Sequence, residues 1–298
     1  MKVFSKSCAA LLAAGLVALA ATSVPIGAQN QAVPTAANPF GLPQDFSIFG
    51  EENPNERAAT AVVNGYVITG TDIDQRVALV DFDFQYGSVA TLLDLPRRDA
   101  VYELLTDPTS ISADTLSQAM TSFKSSMAVM SAPPEAMPLD ILQPEDIQRI
   151  LGLLRERYDF IVVDLPRALT EWSGTILTEA ETFFCLLELD MRSAQNLMRY
   201  LRALRAEDLP GEKIQYVLNR APGITNLNGK SRIARFSESL GIEIKILLPD
   251  GGRAITVAAD QGVPLSDGAA KNPLRKEIRK IATTIVDLAT EARAAIAN

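Results

Sequence analysis

From residue 77 onward, short apolar runs alternate with segments whose apolar residues recur every three or four positions. Val77–Asp83 is a run of β-formers that ends in acidic residues, and Met127–Met130, Phe160–Asp164, Thr182–Leu189, Ile214–Asn219 and Ile242–Leu248 read as further strands. Between them, Arg97–Thr106, Ser112–Phe123, Pro144–Arg157 and Ala194–Arg205 read as helices, and Pro273–Ala297 as a last, long one. In the third of these, Ile147, Ile150, Leu151 and Leu154 fall at i, i+3, i+4 and i+7, the spacing of one buried helix face. Strands that alternate with helices predict an α/β fold: a mostly parallel sheet with helices on both faces.

Upstream of residue 77 the pattern differs. Lys2 and Lys6 precede an apolar run from Cys8 to Ala21, and Ile26-Gly27-Ala28 supplies small residues for cleavage. Residues 1–28 therefore read as an export leader, too short for a comfortable membrane span of about 20 residues. Residues 29–56 hold Pro34, Pro39, Pro43 and Pro54, show no period, and read as a linker. Two β-rich tripeptides then flank Asn64-Gly65, a hairpin signal, and Thr71 caps a helix pattern through Ile73, Val77 and Val80. The letters Val77–Val80 thus serve two readings, as a helix continued from Thr71 or as a strand leading to Asp81 and Asp83. A join of two unrelated pieces near Arg76–Val80 accounts for that local conflict.

Composition narrows the chemistry. Of 298 residues none is histidine, which excludes His-based acid–base catalysis, Ser-His-Asp triads and His-ligated zinc. The net charge of −8 offers no basic field for nucleic acid or anionic lipid. Cys8 and Cys185 are the only cysteines, so a chain without its leader keeps one thiol and forms no internal disulfide.

Two motifs carry candidate chemistry. Asp81-Phe82-Asp83 closes a buried strand, at the edge where open α/β sheets bind ligands. Tyr158-Asp159 followed by Phe160-Ile-Val-Val-Asp164 has the form of a Walker B strand, whose carboxylate orients Mg²⁺ or its water shell. In the last helix, Leu274, Ile278, Ile281, Ile285 and Leu288 form one stripe; its later turns are Ala-rich and weakly basic, so core packing is expected rather than membrane association.

Asp81–Gln85, Tyr158–Gly174 and Tyr216–Gly223 together resemble the pilus-assembly ATPases of the CpaE/TadZ type, relatives of MinD and ParA in tight-adherence (Flp) pilus secretion systems. The resemblance covers about residues 77–298 and implies ATP and Mg as ligands. It matches Asp83 to the position that orients the attacking water and places Asp81 beside it in the first switch. It makes Asp164 the Walker B metal ligand, Asn219 the reader of the adenine edge, and Pro249 and Asp250 the loop near the base. Arg167 and Trp172 belong to its signature after Walker B. As partners it implies components of a pilus or secretion machinery and leaves a homodimer open. Residues 61–80 resemble the N-terminal segment of SurA-type periplasmic chaperones and prolyl isomerases. The expected organisation is a leader (1–28), a linker (29–56), a SurA-like fragment (57–79) and a truncated MinD/ParA-like domain (80–298).

One departure dominates. The family's first strand leads into a Gly-rich Lys-Thr loop that holds the phosphates, and nothing before Asp81 has that form. Gly229-Lys230-Ser231 lies too far along the chain, and Gly223 precedes it by one residue too many; a capped helix start is the expectation there. An ATPase-related scaffold that does not hydrolyse ATP is the expected function, with a SurA-like chaperone fragment or a chimeric product without selected function as alternatives. A missing central strand would leave unpaired backbone groups costing roughly 1–3 kcal/mol each, so a weakened sheet is expected unless the hairpin at 61–68 fills the slot. A used leader places the chain in the periplasm; membrane association would come only through an uncleaved leader.

Overall fold

Val77–Asp81 (β2) is a strand buried along nearly its whole length, and it decides between the two readings of its letters. The helix from Thr71 does not run through Val77–Val80, because a run of β-formers paired on both sides outcompetes helical propensity. In the computed structural model of the chain, residues 16–19, 76–223 and 226–297 are described. The linker, the 61–68 hairpin, the start of the Thr71 helix and the remainder of the leader lie outside them.

The other strands are Leu16–Leu19 (β1), Thr121–Phe123 (β3), Met127–Met130 (β4), Phe160–Asp164 (β5), Ala180–Leu187 (β6), Ile214–Ala221 (β7) and Ile244–Pro249 (β8). They form one eight-stranded sheet in the order β3-β4-β2-β5-β1-β6-β7-β8. β4, β2 and β5 are mutually parallel, as are β6, β7 and β8. β1 joins the two halves and runs antiparallel to both β5 and β6.

That strand corrects an expectation. The central position is filled, so β5 and β6 do not face a hole, and the strand comes from the expected leader. An extended apolar segment satisfies the backbone groups of both neighbours wherever in the chain it originates. Its direction matters for the site: Leu16 is opposite Asp164 and Leu19 opposite Ile161, so β1 ends at the edge away from the carboxylates.

The helices are Val89–Leu92 (α1), Asp99–Thr106 (α2), Ala113–Ala119 (α3), Pro144–Arg155 (α4), Ser173–Glu179 (α5), Met191–Ala206 (α6), Leu227–Leu240 (α7), Gly252–Asp260 (α8), Leu265–Gly268 (α9) and Pro273–Ala297 (α10). Alternate residues of each strand serve opposite faces of the sheet. Leu79, Phe160 and Val162 pack with Ile278, Ile281 and Ile285 of α10. Val80, Ile161 and Val163 pack on the other face with Leu104, Ile150 and Leu151 of α2 and α4. The α10 stripe is therefore core, as its Ala-rich turns imply, and no helix among the described residues is long and apolar enough to cross a membrane.

Local signals explain the boundaries. α4 starts on Pro144, with the Gln143 N–H donating to the Asp146 carboxylate at 3.0 Å. α7 starts where the Asn226 side chain accepts from the Gly229 N–H at 2.9 Å, so Gly229-Lys230-Ser231 is a capped helix start as expected. The helix expected over Ser112–Phe123 stops at Ala119. Met120 turns extended, and Thr121–Phe123 pair antiparallel with β4 through a turn in which Lys124 has φ 54°.

Candidate functional site

Asp81 and Asp164 close two adjacent parallel strands in register, and the Phe82 N–H donates to the Asp164 carbonyl at 2.9 Å. Both side chains are buried, at 0% and 5% exposure. Asp81 organises the loop that follows: its carboxylate accepts from the Asp83 N–H at 3.1 Å and from the Val89 N–H at 3.2 Å, at the start of α1. Asp83 is half-buried and accepts from the Gln85 and Tyr86 N–H groups at 3.3 and 3.0 Å. This Asx turn occupies one of its oxygens.

Burial pushes Asp81 up to about 7, against the backbone hydrogen bonds that favour its charged form. Asp164 is raised well above the ordinary carboxylate range, first by burial and then by the negative charges of Asp81 and Asp83, with no cation to offset them. Two strand-end acids thus compete for ionisation in a dry setting, and a proton or a hard cation relieves the competition.

Two residues hold the loop from the side. The Arg97 guanidinium donates to the Pro133 and Gly87 carbonyls, each at 3.0 Å, and its charge slightly favours ionised Asp81. Trp172 has a clear physical role: its ring meets Phe82 edge-on at 5.7 Å and tilts against Phe84 at 6.2 Å, and its indole N–H donates to the Leu139 carbonyl at 2.6 Å. Trp172 thereby ties the segment after Asp164 to the segment after Asp81. A Cβ on Gly87 would lie 2.4 Å from the Ala132 Cβ and 2.5 Å from an Asp81 oxygen, so only glycine fits this turn. Arg97 and Gly87 carried no signal in the sequence, because their partners lie in segments far along the chain or in an irregular loop.

The residues expected near the base lie elsewhere on the same edge. Asn219 is half-buried near the end of β7, where the pairing with β8 shifts register, Arg220 has φ 50° and Ala221 pairs with Pro249. The Asp250 carboxylate accepts from the Gly252 N–H at 2.8 Å at the start of α8. β5 and β7 are separated by β1 and β6. Three strand spacings put Asn219 roughly 14 Å from Asp164 across the sheet. Asn219, Pro249 and Asp250 thus come together, as do Asp81, Asp83 and Asp164, with two strands between the groups.

The paired carboxylates suit a divalent cation, although among the described residues no group of three or more acidic, Cys or His side chains is arranged to hold a metal. Among the described residues, no strand ending at this edge turns into a Gly-rich loop that would cradle a triphosphate. Its cradle requires a strand that ends at this edge and turns into a Gly-rich loop of backbone N–H donors. β1 ends at the opposite edge, and Lys230 belongs to the helix start beside β7.

No protein-family model matches the chain. The chain is 24% identical to the septum site-determining protein MinD of Synechocystis sp. over 65% of its length and 71% of that protein's. It is similarly 24% identical to a MinD of Emiliania huxleyi, covering 74% of it. Among solved structures, a ParA-family ATPase from Chlorobium tepidum superposes with a TM-score of 0.61 at 19% identity, covering 72% of this chain and 88% of that one. MinD of Pyrococcus horikoshii, solved with Mg-ADP, gives 0.56 at 15% identity, over 73% and 86% of the two chains. The chain shares the α/β fold of these MinD/ParA-type P-loop NTPase structures, a mostly parallel sheet flanked by helices.

Proposed function

We propose that this domain is a CpaE/TadZ-like relative of the MinD/ParA ATPases that acts as a non-hydrolysing scaffold in a pilus or secretion machinery. The observation that carries the inactive half of this reading is the direction of β1. The position next to β5 holds a strand that leaves the carboxylate edge, where a phosphate loop would have to arrive. The sequence supplies no Gly-Lys-Thr-like loop upstream of Asp81 either. Asp164 and Asp81 keep the geometry of a cation site, with Asp83 beside them and Asn219, Pro249 and Asp250 at the base-side end. MinD of Pyrococcus horikoshii was solved with Mg-ADP, so Mg and an adenine nucleotide are the ligand class to test, with binding weak or absent. MinD of Aquifex aeolicus was solved with MinC; a protein partner, or a second copy of this chain, is the corresponding expectation here.

The leader expected over residues 1–28, if used, gives the chain a periplasmic address. Cleavage after Ala28 would remove β1 with the leader, so an exported, processed chain would lack the strand between β5 and β6.

Calorimetric titration of the full chain with ATP in excess Mg²⁺ tests the reading. No saturable heat in the micromolar range is expected, and micromolar affinity would overturn the proposed loss of nucleotide grip.

A further inference from the structure

A cavity of about 720 Å³ opens beside the Asp164 strand, between the segment that follows β5, strand β6 and helix α6. Its floor is apolar. Phe183, Cys185 and Leu187 are alternate residues of β6 and line one face; Leu197 and Tyr200 of α6 line the other. The Tyr200 ring tilts against Phe183 at 5.7 Å, and burial pushes the Cys185 thiol up to about 12, so the thiol stays protonated and unreactive.

Its rim is cationic. Arg167 stands on the segment after β5, while Arg192 and Arg199 stand seven positions apart on one face of α6. Two carboxylates also line the cavity, and both are engaged within the chain. Glu188 pairs with Arg220 at 3.5 Å, and Asp190 caps α6 by accepting from the Ser193 N–H at 2.7 Å. Among the described residues, the guanidinium groups of Arg167, Arg192 and Arg199 have no hydrogen-bond or ion-pair partner. In a chain of net charge −8, three unpaired guanidinium groups around one apolar hollow are a concentration of positive charge that the fold does not neutralise itself.

We propose that this cavity is a binding site for a free single-chain anionic amphiphile, an acyl tail ending in a carboxylate or phosphate. The tail would lie between β6 and α6, and the head would meet the arginines. The volume falls within the range of about 300–1,000 Å³ usual for small-molecule sites, which combine an apolar lining with a few placed polar groups. Guanidinium groups are suited to both head types, because their N–H fork matches carboxylate and phosphate oxygens. The site does not depend on the nucleotide reading, since none of the residues named here serves as an acid ligand or base-side residue there.

The test is a calorimetric titration of the full chain with sodium decanoate and, separately, decyl phosphate, both below their micelle concentrations, with decyltrimethylammonium as the cationic counterpart. One-to-one saturable binding of at least one of the two anions and none of the cation is expected. Arg192→Gln and Arg199→Gln change exposed side chains and leave the fold intact; each weakens the anion by about ten-fold or more. Ala203→Phe, which fills the hollow, abolishes binding with the melting temperature little changed. Preference between the two anions names the head group. Equal binding of the cation, or unchanged affinity in the double arginine variant, would overturn the proposal. So would arginine-dependent co-sedimentation with phosphatidylglycerol vesicles in the absence of one-to-one decanoate or decyl phosphate binding, which would assign the arginines to a membrane surface instead.

Discussion

Asp81 and Asp164 stand opposite each other at the ends of neighbouring parallel strands, both buried. Burial raises both carboxyls, and the charge of Asp81 raises Asp164 further. The surroundings of the pair are held by contacts between loops, from Trp172 to Leu139 and from Arg97 to Pro133 and Gly87.

This pair makes stability depend on pH. Folding raises Asp81 from 3.8 to about 7, and raises Asp164 as well. A carboxyl raised on folding contributes stability that is full below its unfolded value and is lost as pH climbs through its folded value. Stability from this source therefore declines between about pH 4 and pH 7 and stays low above. In metal-free buffer, Asp164→Asn is expected to flatten this slope and to add on the order of 1 kcal/mol at pH 8. Urea midpoints at pH 5 and pH 8 for the two chains check this; parallel slopes would contradict it.

Trp172 is expected to be the most sensitive large side chain near the site. Trp172→Ala removes its contacts with Phe82 and Phe84 and leaves a cavity, at a cost of about 3–5 kcal/mol. Trp172→Phe keeps most of the packing but leaves the Leu139 carbonyl without its donor, at a cost of about 1 kcal/mol. Chemical denaturation separates the two; equal losses would show that the indole hydrogen bond is irrelevant.

Two glycines give opposite signs. Gly87→Ala forces a Cβ against Ala132 and Asp81 and is expected to cost roughly 1–3 kcal/mol. Gly152, inside α4, has nothing within 4 Å of its would-be Cβ, and Gly152→Ala is expected to stabilise by about 0.5–1 kcal/mol through helix propensity. Thermal melts of the two variants, side by side, check both signs.

Much of the sheet was legible because its strands are short runs of β-formers with a clear stop. Met127–Met130 and Phe160–Asp164 have the bounds their letters imply, and the face of α4 follows from four spaced apolar residues. β3 was hidden because Thr121–Phe123 follow a helix without a Gly or Pro to mark the break. α5 and α8 were missed for a related reason: α5 is only seven residues long and begins Ser-Gly, and α8 starts at Gly252. β1 was illegible as a strand because an apolar run beside lysines reads as an export signal. Only the vacant position between β5 and β6 gives it another use. Within the site, the acidic residues were readable from their place at strand ends. Arg97 and the physical role of Trp172 were not, since each acts on a carbonyl more than thirty residues away along the chain.

The central claim is that an antiparallel strand from residues 16–19 occupies the place of a phosphate-cradling strand, and a cross-link reads this directly. In a chain with Cys8 and Cys185 replaced by serine, Val17→Cys and Val163→Cys sit opposite each other across β1 and β5. A control chain pairs Val17→Cys with Val129→Cys on β4, three strands away. Mild oxidation of the folded protein, followed by mass spectrometry, is expected to join 17 to 163 and to leave the control reduced. A folded chain in which 17 and 163 remain free thiols would contradict the account.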